Sequence, residues 1–221
     1  MALRSPEFLE NPENRCPVVL LLDVSASMEG EPIQALNEGL ATFKFDVEQD
    51  TIASLRVEVA IVTFGEQVKL LQNFVTIDEF TAPVLQAAGR TPLGEALQLG
   101  IAALEDRKKS YQEAAIGYYR PWMFLITDGA PTDGDTWKQA KEQIHDMVSR
   151  HKLSFFTIGV EGADQEILSA LAPKEFPPIW LKDLQFSELF KWLSASVRRV
   201  SVGKLGSEMM KLPASEGWVC P

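Results

Sequence analysis

Runs of apolar, β-branched residues alternate along this chain with segments whose apolar positions recur every three to four residues. That alternation is the signature of a parallel sheet covered by helices on both faces. Residues 17–23 (PVVLLLD) are short and wholly apolar, as a central strand buried on both sides requires. After Gly30 and Pro32, residues Ile33, Leu36, Leu40, Phe43 and Val47 keep helical spacing, and Pro32 suits a first turn because its missing N–H is not needed there. Residues 55–63 and 67–74 read as two strands around the Phe64-Gly65-Glu66 turn, an antiparallel hairpin at one sheet edge. The pattern breaks over 76–89. From Pro92 onward, Leu93, Ala96, Leu97, Gly100, Ile101 and Leu104 mark a long helix, and the polar stretch 105–120 is read as its end and a solvated loop. Residues 122–127 and 153–160 are further buried strands, separated by the helical series Trp137, Ala140, Ile144, Met147 and Val148. Ile167, Leu168 and Leu171 give a short helix, 179–181 a short last strand, and Phe186 to Val200 a closing helix. The chain divides into an N-terminal segment (1–14), one domain (15–201) and a tail (202–221) in which Trp218 is a candidate for docking.

Composition narrows the function classes. The 221 residues are 46% apolar and 24% charged, the balance of a globular domain with a real core. A net charge of −10 repels phosphate backbones, which argues against nucleic acid as a partner. Cys16 and Cys220 stand near opposite ends, without the spacing of a zinc or redox site. No apolar run approaches the ~20 residues of a membrane helix, and the start lacks the ~7–15-residue apolar stretch of a secretory signal. The expected location is therefore the cytoplasm, with no membrane contact.

In a parallel α/β sheet, functional groups gather outside the carboxyl ends of the strands. The first strand ends in Asp23-Val24-Ser25-Ala26-Ser27, a carboxylate and two hydroxyls at alternating positions. The strand at 122–127 ends in Thr127-Asp128-Gly129, and Gly89-Arg90-Thr91-Pro92 places a further hydroxyl before a helix. If Asp23, Ser25, Ser27, Thr91 and Asp128 converge, they form an all-oxygen nest suited to Mg²⁺ or Mn²⁺ and poorly suited to zinc or copper. Neutral hydroxyl ligands leave such an ion much of its charge, so a carboxylate from a partner protein becomes a favoured further ligand.

These residues resemble the metal-ion-dependent adhesion site of von Willebrand factor A domains: the D-x-S-x-S run at Asp23, Ser25 and Ser27, the Thr91 loop, and the T-D-G at 127–129. The resemblance covers about residues 15 to 200. It implies a Rossmann-like three-layer α/β/α sandwich, with a mostly parallel six-stranded sheet, one antiparallel edge strand and the metal at its top. It also implies a module that binds proteins and catalyses nothing. Ser25, Ser27 and Thr91 would be direct ligands, with Asp23 and Asp128 acting largely through water. Within the family the chain looks most like bacterial cytoplasmic proteins of the tellurium-resistance type. Those are associated with a serine/threonine kinase and a metal-dependent phosphatase, which suggests a stress-response or phospho-signalling complex.

Other readings compete. Taken singly, Ser25, Ser27 and Thr91 are helix caps, and Asp23 and Asp128 are ordinary turn residues. The G-x-x-x-x-G of 89–94 resembles a phosphate-binding loop, yet Glu95-Ala96 replaces the Lys-Ser/Thr pair it needs. His145 and His151 cannot share a metal from one helix face and read as solvated surface residues, and no nucleophile elbow is present. Glu29, Glu31, Asp133 and Asp135 are either solvated charges or an acidic rim. Two further functions stay open: a magnesium-dependent phosphohydrolase with Asp23 as nucleophile, against which Ser25 stands where an acid is wanted, and a metal-independent scaffold.

Overall fold

The computed structural model describes residues 6–203 and Val219. Among them the chain forms six strands, β1 (Cys16–Asp23), β2 (Val57–Phe64), β3 (Lys69–Thr76), β4 (Trp122–Thr127), β5 (Ser154–Gly159) and β6 (Ile179–Trp180). They make one sheet in the order β3-β2-β1-β4-β5-β6, with β3 alone antiparallel at an edge. All eight residues of β1 are buried, as its unbroken apolar run requires of a strand covered on both faces. Edge strand β3 instead alternates between exposed and partly buried positions along its first half.

Four long helices cover the sheet: α2 (Glu31–Glu48), α4 (Leu93–Ala114), α5 (Thr136–Ser149) and α7 (Phe186–Ser201). Successive strand residues point to opposite faces, so neighbours Met123 and Phe124 locate the two outer layers. Gly100 brings α4 onto the Met123 face, where a methyl at that glycine would fall 2.6 Å from the Leu21 side chain. On the other face, Phe124 and Phe156 stack at 4.7 Å and Trp192 of α7 meets both edge-on. The helices pair as α4 with α5 and α2 with α7. The result is the three-layer α/β/α sandwich expected, with one antiparallel edge strand.

One local expectation fails, and two segments hold more than the pattern showed. Leu55 and Arg56 close helix α3 (Thr51–Arg56) instead of opening a strand, because the Asp50 carboxylate caps it, accepting from Ile52 N at 3.1 Å and Ala53 N at 3.0 Å. Helix α4 continues well into the polar stretch, to Ala114, and buries Lys108 and Tyr111. The N-terminal segment carries helix α1 (Pro6–Glu10), whose Phe8 is buried against Tyr111. One group explains the last two. Glu58 on β2 is 1% exposed and needs donors, which arrive from Arg15 at 2.8 Å, from Arg107 at 2.7 and 2.8 Å, and from the Tyr111 hydroxyl. Arg107 also reaches Glu7, so this ionic cluster ties α1 and α4 to the amino end of β2.

Helix α6 (Gln165–Leu171) receives His145, whose Nε2 lies 2.9 Å from the Leu171 carbonyl, so this histidine is half-buried and bonded where a solvated one is expected. His151 is exposed, as expected. Trp218 lies outside the described residues, while Val219 makes an antiparallel bridge to Leu181 beyond β6. Among the described residues no helix is long and apolar enough to cross a membrane.

Candidate metal centre

The chain leaves β1 for β2 on one side and later returns to β4 on the other, so the strand order reverses between β1 and β4. A crevice outside the carboxyl ends of these two strands is where such sheets bind ligands. Asp23 ends β1, and Asp128 follows the last residue of β4.

Four of the five candidate oxygens are linked directly. Asp23 Oδ1 accepts the Ser25 backbone N–H at 2.9 Å, an Asx turn that folds the loop back over the strand end. The Ser25 and Ser27 hydroxyl oxygens are 2.9 Å apart, and Ser27 donates to Asp128 Oδ1 at 2.8 Å. Thr91 completes the group. A methyl placed on Gly129 would lie 3.1 Å from Thr91 Oγ1 and 3.9 Å from Ser27 Oγ, so both hydroxyls flank one point beside Asp128. The structure therefore brings all five residues into one socket. Ser27 is exposed at its mouth, while Asp23, Ser25, Thr91 and Asp128 are buried.

The capping reading fails for the three hydroxyls. Ser25 precedes a short 3-10 turn (Ala26–Met28) and makes no side-chain cap bond, and the capping positions before α2 and α4 are Gly30 and Pro92, neither with a side-chain cap. The two serine oxygens turn to each other and to Asp128 instead, and the Thr91 hydroxyl faces Gly129 beside them.

Main-chain bonds lace the loops. Val24 N donates to Phe64 O at 2.8 Å, Ala88 N to Val24 O at 2.7 Å, and Ala26 N to Gly89 O at 3.1 Å. Gly89 takes a φ of +86°, and a methyl there would fall 2.2 Å from Glu66 N, so only glycine allows this approach. The Thr91 loop is clamped by Thr132, whose hydroxyl accepts from Thr91 N at 3.0 Å while its N–H donates to Thr91 O at 2.9 Å.

Burial pushes the Asp23 carboxyl up from 3.8 to about 6, against the hydrogen bonds from Ser25 and Thr127 and with some help from the nearby Asp128 charge. Asp128 is raised too, again mainly by burial, with the Ser27 hydroxyl opposing. Among the described residues neither Asp23 nor Asp128 forms an ion pair with a lysine, arginine or histidine, and the groups that bond their oxygens are hydroxyls and a backbone amide. Two buried carboxylates without a side-chain counter-charge, with the Ser25, Ser27 and Thr91 hydroxyls gathered beside them, fit a hard divalent ion. Among the described residues no cluster of three or more His, Cys, Asp or Glu side chains is arranged for a metal, which is consistent with a hydroxyl-rich donor set.

Thr127 and Thr132, outside the candidate set, hold socket residues in place. Thr127 donates its hydroxyl to Asp23 Oδ2 and accepts from Gly129 N at 3.3 Å, holding the carboxylate in place. Its signal was available: Leu22 pairs with Ile126, so the next residues up, Asp23 and Thr127, stand side by side. Thr132 carries no such signal, since its role depends on a loop contact far along the chain. In the proposed acidic rim, Asp133 is engaged by Glu95 N at 3.1 Å and the Thr136 hydroxyl at 2.6 Å, and Asp135 pairs with Lys138 on the surface.

Comparison with solved structures returns the same fold at low identity. Proximal thread matrix protein 1 from the mussel byssus aligns with a TM-score of 0.56 at 17% identity, covering 84% of this chain and 48% of its own. The pilus adhesin SpaC of Lactobacillus rhamnosus GG, in an open conformation, aligns at 0.61 and 14% identity, covering 85% and 30%. Manganese-loaded TRAP protein of Plasmodium vivax aligns at 0.52 and 18%, covering 80% and 72%. The chain spans about half the length of the mussel protein and less of SpaC. No curated protein matches it. The family model for the von Willebrand factor type A domain, however, matches residues 18–189, which contain every strand but the start of β1 and all five socket residues. On that match and this sheet order, the chain belongs to the von Willebrand factor type A domain family.

Proposed function

We propose that the protein is a divalent-cation-dependent protein-binding module in which Asp23, Ser25, Ser27, Thr91 and Asp128 hold Mg²⁺ or Mn²⁺. The observation that carries this reading is the pair of buried carboxylates that meet no cation and share their site with three hydroxyls excused from helix capping. A bound ion supplies an electrophilic position for a carboxylate offered by a partner protein. The chain's own residues do the rest. Asp23, fixed by Ser25 N–H and the Thr127 hydroxyl, sets negative charge beneath the hydroxyls. Thr132 keeps Thr91 in register, and exposed Ser27 marks the side from which a partner approaches. Manganese in the TRAP structure, a relative in fold, supports the choice of ion.

Binding without catalysis is part of the proposal. Asp23 as a phosphohydrolase nucleophile is disfavoured by its full burial and by the donors on both its oxygens. The resemblance of the sequence to the tellurium-resistance type extends the proposal to a cytoplasmic stress-response or phospho-signalling complex with kinase and phosphatase partners. Calorimetric titration with Mg²⁺ and Mn²⁺, followed by capture from lysate with metal or chelator, tests it. Wild type binds metal and retains partners only without chelator, whereas Asp128→Ala and Ser25→Ala stay folded and do neither. Absence of heat and of a thermal shift at millimolar metal, or capture indifferent to chelator, overturns it in favour of a metal-independent scaffold.

A further inference from the structure

A groove of about 740 Å³ opens beside the socket, between the β2–β3 turn and the loop that carries Thr91. Its lining includes Gly65, Glu66, Arg90, Glu95, Thr132 and Asp133. The size falls within the roughly 300–1,000 Å³ of ligand sites. The groove neighbours the socket: Arg90 and Pro92, on either side of Thr91 in the chain, line it, and so does Thr132, which clamps the Thr91 backbone. Its shape is set in advance, since Gly89 packs backbone to backbone against Glu66 across the two walls.

The lining is negative on balance, three carboxylates against the single guanidinium of Arg90. Glu66, Arg90 and Glu95 are exposed, and among the described residues their side chains enter no ion pair. Asp133 adds a second observation. Its Oδ2 is engaged by Glu95 N and Thr136, but its Oδ1 is buried with no hydrogen-bond partner. A carboxylate oxygen in that condition is satisfied only by an added donor.

We propose that this groove receives a lysine or arginine of the partner, placed within a few residues of the carboxylate that enters the socket. The module would then recognise an extended acidic–basic pair, the acidic residue through the ion and the basic one through Glu66, Glu95 and Asp133. The inference rests on the metal-dependent reading of the socket and adds the class of sequence it selects. Charge complementarity of this kind sets specificity and approach rate more than raw affinity.

A phage-displayed library of random heptapeptides, panned on the immobilised full chain in Mg²⁺ and eluted with EDTA, separates the two claims. The expected pool contains Asp or Glu in nearly every peptide, with Lys or Arg beside it enriched several-fold over the input. Glu66→Lys with Glu95→Lys abolishes the basic enrichment and leaves the acidic requirement. The milder pair Glu66→Gln with Glu95→Gln lowers the enrichment in the same direction; because Glu95 lies in the first turn of α4, the lysine pair is expected to lower the thermal midpoint slightly and the glutamine pair less, with both folded at the panning temperature. A chelator-released pool that is acidic but without basic enrichment overturns the groove and leaves the socket standing, as does enrichment unchanged in both variants. No chelator-released pool at all removes both.

Discussion

Replacing Asp23 by Asn examines the electrostatics of the socket in the metal-free protein. Asp23 is fully buried, and desolvation raises its carboxyl from 3.8 to about 6. Folding therefore favours the protonated form. The group's favourable contribution is complete below pH 3.8 and is lost as the pH climbs through about 6. At about 1.4 kcal/mol per pH unit, the gap between 3.8 and about 6 makes the ionised carboxylate cost the fold about 3 kcal/mol at pH 8. Asparagine has the same shape and no charge. It keeps an acceptor for Ser25 N–H but turns an amide toward the Thr127 hydroxyl, a lost acceptor worth about 1 kcal/mol. In urea unfolding with EDTA, Asp23→Asn is expected to exceed wild type by about 2 kcal/mol at pH 8, with the advantage about 1 kcal/mol smaller at pH 5. Saturating Mg²⁺ reverses the order: wild type gains about 3 kcal/mol at a hundredfold excess over its dissociation constant, and the variant gains little. Equal stability of the two proteins at pH 8 in chelator, or the same Mg²⁺ gain in both, refutes the argument.

Two other outcomes follow from contacts on opposite ends of the sheet. Gly129→Ala sets a methyl 3.1 Å from Thr91 Oγ1 at the socket, so calorimetry is expected to find Mg²⁺ and Mn²⁺ bound about tenfold or more weakly, ~1.4 kcal/mol, with the unfolding midpoint unchanged. Wild-type affinity in this variant places the ion elsewhere. Glu58→Ala leaves Arg15, itself 1% exposed, without its carboxylate, and urea unfolding is expected to show a loss of about 3–5 kcal/mol; a loss under 1 kcal/mol means the Arg15–Glu58–Arg107 cluster contributes no net stability.

The central strands and long helices were legible because their burial is local in origin. β1 and β4 are apolar up to their last residues, Asp23 and Thr127, and the apolar series of α2, α5 and α7 each mark one face, so the alternation alone points to the layers. What was not legible depends on partners distant in sequence. Nothing in the stretch around Phe8 announces a helix, since its burial comes from Tyr111 and the guanidinium groups of Arg15 and Arg107. Tyr111 looks like a surface residue until Glu58 is placed beneath it. The cap at Asp50 was readable, but apolar Leu55 beside the β-branched run of β2 read as strand. At the socket, strand-end position pointed to Asp23, Ser25, Ser27 and Asp128, and the glycine-bounded loop before α4 to Thr91; the structure sets these five side by side. Thr132 was beyond reach because its hydroxyl acts on a backbone amide 41 residues earlier in the chain.

The rims of the sheet have a consequence for how this domain meets other chains. β3 pairs with β2 through two register irregularities, between Val59 and Ile61 and between Ile61 and Val62, and it begins at Lys69. At the opposite rim, β6 is two residues long, and Val219 bridges the position just past it. Short, kinked or covered rims give a foreign strand no straight ladder to extend, which is how sheet proteins avoid sticking edge to edge. Association through backbone ladders is thereby suppressed, and the domain stays free to engage neighbours by way of its loops.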